Sequence, residues 1–213
     1  MTPAQLLTLF RTEVFDAVAP YLWADAWFYG ALDAAQKQFC RDTYGIEDAS
    51  SFTLDISVST EWYDIDPKIL KLRSAINPAT GSDVPFIALE KMVNDGLRFD
   101  GTRGPIKALI TGMNRGQLRA CPIPSVSSVV ELRTFRLPET IEAAADDIEI
   151  DDQHHRYLLY WVKHLAYDIQ DTETYDKAAS DKYKGKHDAY CAKALLEQNR
   201  LRRPVSTVTY GGI

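Results

Sequence analysis

Three histidines cluster in the last third of the chain: His154, His155 and His164. Imidazole is both the commonest metal ligand and the commonest general base, so their spacing is the first thing to test. On a helix, separations of nine and ten residues put His164 about half a turn from His155 and nearer the side of His154. No H-E-x-x-H run or facial carboxylate pattern accompanies them. They read as polar residues flanking an amphipathic helix. The stretch from Gly96 to Gly104 is glycine-rich, as a phosphate cradle is. It lacks the Lys-Ser/Thr that such a loop needs, so turn glycines are the better reading. Ser125, Ser127 and Ser128 have no G-x-S-x-G elbow around them. Asp146, Asp147, Glu149, Asp151 and Asp152 lack the Gly and terminal Glu of a calcium loop, and read as a solvated linker running into a helix N-terminus. Cys40, Cys121 and Cys191 are far apart with no C-x-x-C, so neither a zinc ribbon nor a disulfide framework is suggested. The sequence therefore predicts no catalytic residue, no cofactor and no metal site.

The balance of the chain agrees with that. Over 213 residues it is 46% hydrophobic and 25% charged, an ordinary globular composition. The net charge of −6 argues against a surface of lysines and arginines built to hold nucleic acid. The first residues lack the basic and apolar regions of a signal peptide. No apolar run approaches the ~20 residues that a membrane span requires. A soluble protein made in the cytoplasm is the expectation.

The elements that must carry these residues follow from hydrophobic period. Thr2-Pro3-Ala4-Gln5 is a capping box with proline at the first helical position. Leu6, Phe10, Val14 and Ala17 then share a face, with Leu7 and Val18 beside it, up to Pro20. A second helix is predicted over Asp25–Thr43, with Gly45 as its stop. From Phe52 the period changes to two. Strands are expected around 53–59, 62–66, 69–73, 84–87, 106–111, 117–121 and 129–137, with a short helix over 88–94. Cys121 to Ser125 should break the sheet. A helix over 152–170 has Leu158, Trp161, Val162, Leu165 and Ile169 on one face. A longer one over 174–203 has Tyr175, Ala179, Tyr183, His187, Tyr190, Ala194 and Leu201 on one face, and Pro204 stops it.

The fold class expected is α+β: a helical bundle made from the N- and C-terminal helices, an inserted antiparallel β-rich subdomain, and an extended C-terminal arm. The boundaries are 1–48 for the first helices, 49–142 for the β-rich part, 143–203 for the last helices and 204–213 for the arm. The core should include Leu6, Phe10, Val14, Phe28, Leu32, Phe39, Leu158, Trp161 and Leu165. Trp23 and Trp27, beside Tyr21, Phe28 and Tyr29, are the candidates for contact with a neighbouring subunit, because aromatics anchor interfaces. Arg200, Arg202 and Arg203 form a charged collar before the tail. In the tail, Val205, Val208, Tyr210 and Ile213 are the apolar residues of a segment with extended preference and no core of its own.

Taken in order, these segments resemble the head-to-tail adaptor (connector) proteins of tailed bacteriophages. The resemblance is carried by Leu22-Trp23-Ala24-Asp25 with Ala34-Ala35-Gln36, and by Trp62 to Pro67 followed by Ile69 to Arg73. It continues in Gly116 to Pro124 with its Pro-x-Pro ending, in Leu132 to Pro138, and in Glu149-Ile150 leading into the last helices and the Tyr-Gly-Gly tail. It spans nearly the whole chain. It implies a structural virion protein of the neck, a ring, usually twelve-fold, under the capsid portal. That ring would extend the channel for passing double-stranded DNA without sequence-specific binding, and would contact a tail or stopper protein. The C-terminal arm, with Arg202, Arg203, Val205, Val208, Tyr210 and Ile213, would meet the portal protein. The alternatives are another neck or tail-completion ring or, in a different class, a small α+β enzyme or ligand-binding domain with an unrecognised site.

Overall fold

A computed structural model describes residues 1–94, 101–171 and 173–202. The described chain is α+β. In order it contains α1 (Pro3–Glu13), α2 (Asp25–Thr43), β1 (Ile46–Ile56), β2 (Trp62–Asp64), β3 (Ile69–Asn77), β4 (Ser82–Asp83), β5 (Phe86–Ala88) and α3 (Leu89–Asn94). It continues with β6 (Arg103–Gly104), β7 (Ala108–Thr111), β8 (Gln117–Cys121), β9 (Ile123–Pro124), β10 (Ser128–Arg136), α4 (Asp152–Tyr167) and α5 (Lys177–Arg202). Two compact units emerge. One joins Met1–Gly45 to the chain from Pro138 onward, and the other is Ile46–Leu137.

In the first unit, α4 packs against α5, α2 and α1. Phe10, Phe28, Phe39, Leu6, Leu32, Ile141 and Leu158 are its largest fully buried side chains. The α1 start is the capping box expected: Gln5 N–H donates to Thr2 Oγ1, and Thr2 N–H to Gln5 Oε1. Its end is not where Pro20 would put it. The helix stops at Glu13 because Phe15 turns left-handed (φ 60°) and Asp16 N–H bonds back to Arg11 C=O at 2.9 Å, closing a Schellman-type terminus. Ala17 and Val18 consequently leave the helix face and lie exposed. The span of α2 is the one predicted, but Tyr44 rather than Gly45 takes the left-handed position at its end.

The buried stripe of α4 runs through Leu158, Leu159, Val162 and Ala166. Trp161 and Leu165, expected in the core, sit on its flank and are half-buried. The following helix starts at Lys177 rather than Thr174, because the Asp171 carboxylate accepts the Thr174 N–H and hydroxyl and holds a turn there. It runs unbroken through Gly185. Tyrosine pairs join α4 and α5: Tyr157 stacks on Tyr190 at 3.7 Å and Tyr167 on Tyr183 at 5.9 Å. Tyr175 and Leu201, expected on the inner face of this helix, are exposed.

The segment from Pro138 belongs to the helical unit, five residues earlier than the expected start at 143. Backbone at Glu139 and Ile141 bonds to Gln36 and Asp33 of α2, and Ile141 is buried.

The second unit has one sheet in the order β1-β10-β3-β4, all antiparallel, and another in the order β2-β8-β7-β5. Its core is Leu54, Ile56, Tyr63, Ala75, Val84, Leu109, Leu118, Ala120, Val130 and Leu132. Two pairings depart from the antiparallel expectation. β5 pairs with β7 in parallel, which the long connection through α3 permits. β9 also pairs in parallel, with β6, inside the stretch expected to break the sheet. The Pro122-x-Pro124 alternation leaves N–H donors at Ile123 and Ser125, and those two make the bonds, to Thr102 and Gly104. At a register shift in β1, burial pushes the Asp48 carboxyl up, but the Ser51, Arg136 and Ser50 donors outweigh it and hold its pKa well below the usual range.

Candidate functional site

The three histidines of α4 do not converge. His154 Nδ1 lies 2.8 Å from Tyr190 Oη, His155 Nε2 2.6 Å from Ile150 O, and His164 Nδ1 2.8 Å from Ser180 Oγ. Each is engaged with a different neighbour, and burial lowers the pKa of His154.

A different set does converge. His187 and Cys191 lie one turn apart on α5 and face Asp42 in the last turn of α2. Burial raises the Cys191 thiol to about 12, with the Asp42 and Asp188 carboxylates adding to the rise. Burial lowers the His187 pKa against the opposing pull of Asp188 and Asp42. Both groups are therefore neutral at neutral pH. Sequence reasoning placed His187 on the inner face of its helix and missed the set. The available signal was the His-x-x-x-Cys spacing. Asp42 gave none.

At the α1–α2 connection, Phe15 is 95% exposed, Val18 80%, and Tyr21 and Leu22 about half. The loop carrying them is held from inside. Asp16 is buried, and its carboxylate accepts the N–H of Leu22 at 2.9 Å and of Trp23 at 3.4 Å. Arg11 lies over the Tyr21 ring at 3.4 Å and pairs with Asp25. Of the two tryptophans expected at a subunit contact, Trp23 is only 5% exposed. It packs edge-on to Phe10 and Tyr167, so it is a core residue of its own unit. Trp27 is half-buried beside it.

Near the end of α5, Arg202 Nη2 donates to Tyr44 O at 2.9 Å, tying the helix end to the end of α2. Arg203, Val205, Val208, Tyr210 and Ile213 lie outside the described residues.

A family model described as "SU10 adaptor protein" matches residues 1–208. The chain belongs to the SU10 adaptor protein family. Membership makes it a bacteriophage adaptor, a structural part of virion assembly that meets other phage structural proteins at the neck, and this is not an enzyme class. Comparison with curated proteins finds no match. Among the described residues, no helix is long and apolar enough to cross a membrane.

Proposed function

We propose that this adaptor forms a ring, twelve-fold in the usual arrangement of such connectors, between the capsid portal and the tail or stopper protein, and that it extends the channel through which double-stranded DNA passes. The observation that carries this is the family match over 1–208, together with the order of segments that resembles head-to-tail connectors. The architecture that goes with it is a helical bundle from both chain ends, a β-rich insertion over 46–137, and an extended arm over 204–213. An acidic chain suits a conduit that DNA must slide through without sticking.

In this reading the neighbouring subunit covers Phe15, Val18, Tyr21 and Leu22. These are large apolar side chains on a loop that the buried Asp16 carboxylate ties back, whereas Trp23 is buried in its own subunit. Arg202, Arg203, Val205, Val208, Tyr210 and Ile213 meet the portal. An extended segment with alternating side chains supplies backbone hydrogen bonds and anchors together. Ordering it costs roughly 1–2 kcal/mol per residue in backbone entropy, so it orders where those anchors are buried.

The test is deletion of the chain after Arg203. The truncated protein is expected to fold with unchanged thermal stability and to fail to sediment with portal-bearing heads, while the full chain does so as a ring visible in negative stain. Acquisition of the truncated protein by such heads, followed by infectious particles, removes the arm from the reading. Failure of the full chain to join heads at all removes the adaptor ring itself.

A further inference from the structure

His187 and Cys191 are 1% and 4% exposed, and face a carboxylate from another helix. Cys191 Sγ is 3.4 Å from His187 Nε2 and 3.7 Å from Nδ1. Nδ1 is 4.0 Å from Asp42 Oδ2 and 3.4 Å from Asp188 Oδ1. One ligand atom from each of Asp42, His187 and Cys191 can be chosen so that all lie within 4.8 Å of one another. Tetrahedral zinc, with bonds of about 2.0–2.3 Å, places its donors roughly 3.3–3.7 Å apart. The observed separations from Nδ1 are within a few tenths of an ångström of that.

The supporting residues hold the donors in orientation. Gln38 Nε2 donates to both Asp42 oxygens, at 3.0 and 3.2 Å. An ionised carboxylate has about four lone-pair sites, so this fixes its plane while leaving it able to bind a cation. The Trp161 ring packs on the His187 ring with centroids 4.8 Å apart. Asp42 remains 33% exposed, which gives an ion a way in.

We propose that Asp42, His187 and Cys191 form a zinc site that staples α5 to α2, the ion displacing the Cys191 thiol proton to solvent and taking water as its fourth ligand. A mixed nitrogen, sulfur and oxygen set suits zinc. Magnesium and calcium prefer oxygen alone, and copper(I) prefers soft sulfur. The site is independent of the adaptor reading and adds a cofactor to a chain whose sequence predicts none.

The experiment treats the full chain with a chelator and titrates it with Co²⁺, a spectroscopic substitute for zinc. Expected are one equivalent bound, the visible bands of a tetrahedral ion, and a thiolate-to-cobalt absorption in the near ultraviolet. Zinc should abolish all of these on addition and raise the Tm. Cys191→Ala should lose the thiolate absorption, and Asp42→Asn should weaken binding by about tenfold or more. A Cys40→Ala/Cys121→Ala double variant should keep the full spectrum. No saturable absorption in the wild type overturns the proposal, as does a thiolate band that survives Cys191→Ala. If Cys191→Ala fails to fold, the partly exposed Asp42→Asn decides alone: unchanged affinity there also overturns it.

Discussion

Residues 15–22 and residues 23–29 are neighbouring stretches of similar character, both rich in aromatic and aliphatic side chains. The fold treats them in opposite ways. From 23 to 29, Trp23, Phe28 and Tyr29 are buried: Trp23 packs on Phe10 and Tyr167, Phe28 on Phe10, and Tyr29 on Phe28. From 15 to 22, the large apolar residues face outward. The difference comes from backbone rather than hydrophobicity. The later stretch enters a helix whose period turns every third or fourth side chain inward. The earlier one follows a helix terminus in which Phe15 holds a left-handed conformation, and the one inward side chain of its turn is the carboxylate of Asp16. Hydrophobic content says how much apolar surface a segment carries, and backbone path decides whether the chain itself or a partner covers it.

Trp23→Ala is the strongest way to break the contrast. It empties a buried aromatic site, and Trp→Ala in a core costs about 3–5 kcal/mol. Urea unfolding should show that loss, and the variant should be missing from assembled particles because it is unfolded. Trp23→Phe sharpens the point. The indole N–H of Trp23 is buried and finds no acceptor among the described residues, so removing it offsets part of the lost packing. A loss of about 1 kcal/mol with normal assembly is expected. Trp23→Phe that folds normally but fails to assemble would return Trp23 to the subunit contact.

Much of this arrangement was legible in the sequence, and the reasons differ by element. The Asp25–Thr43 helix and the 117–121 strand could be read because their periods are local. The end of α1 could not, because left-handed termini are normally marked by glycine and this one carries phenylalanine. Alternation locates a strand but carries no direction, so the parallel pairing of β5 with β7 was invisible, and the Pro-x-Pro stretch concealed a strand. Trp161 and Leu165 share the right face in a helical projection, yet the packed stripe is centred on Leu158 and Val162. The convergence of Asp42 with His187 and Cys191 depends on how α2 meets α5, which no local pattern encodes. The family was readable from the order of several weak motifs, each common by itself.

A further prediction separates the outward stretch from the helical core by pH. The outward side chains Phe15, Val18 and Leu22 have no ionisable group. The core of the helical unit includes His154, packed against Phe39 at the other end of α2 and bonded to Tyr190, with Asp151, Glu197 and His155 as its charged or titratable neighbours. Burial lowers its pKa, against the carboxylates of Asp151 and Glu197 and with a contribution from His155. Its folded state therefore binds protons less readily than the unfolded chain, whose histidine titrates at about 6.5. The stability this contributes is complete above that value and falls as pH drops through the lowered folded pKa. Urea midpoints should decrease from pH 7 to pH 5, and His154→Gln should reduce the decrease. An identical decrease in the variant would assign the acid sensitivity to other groups.

The smallest effect on stability is the most informative about the outward stretch. Phe15 makes a costly choice twice over: its φ of 60° is unfavourable for a side chain with a Cβ, and its ring is 95% exposed. Glycine removes the first cost and adds backbone freedom to the unfolded chain. Phe15→Gly should therefore stabilise the isolated chain by a modest amount, about 0.5–1 kcal/mol. The turn survives because its bonds are made by backbone and by Asp16: the Asp16 N–H to Arg11, and the Leu22 and Trp23 N–H groups to the Asp16 carboxylate. If a neighbouring subunit covers this loop, the same change deletes a buried aromatic from the contact, and ring formation on portal-bearing heads should weaken even as the Tm rises. Opposite signs for stability and assembly mark a residue kept for what it touches outside its own fold. A Phe15→Gly chain that is more stable and assembles as well as the wild type would show that the loop points at solvent in the particle, and the subunit contact would have to be sought elsewhere.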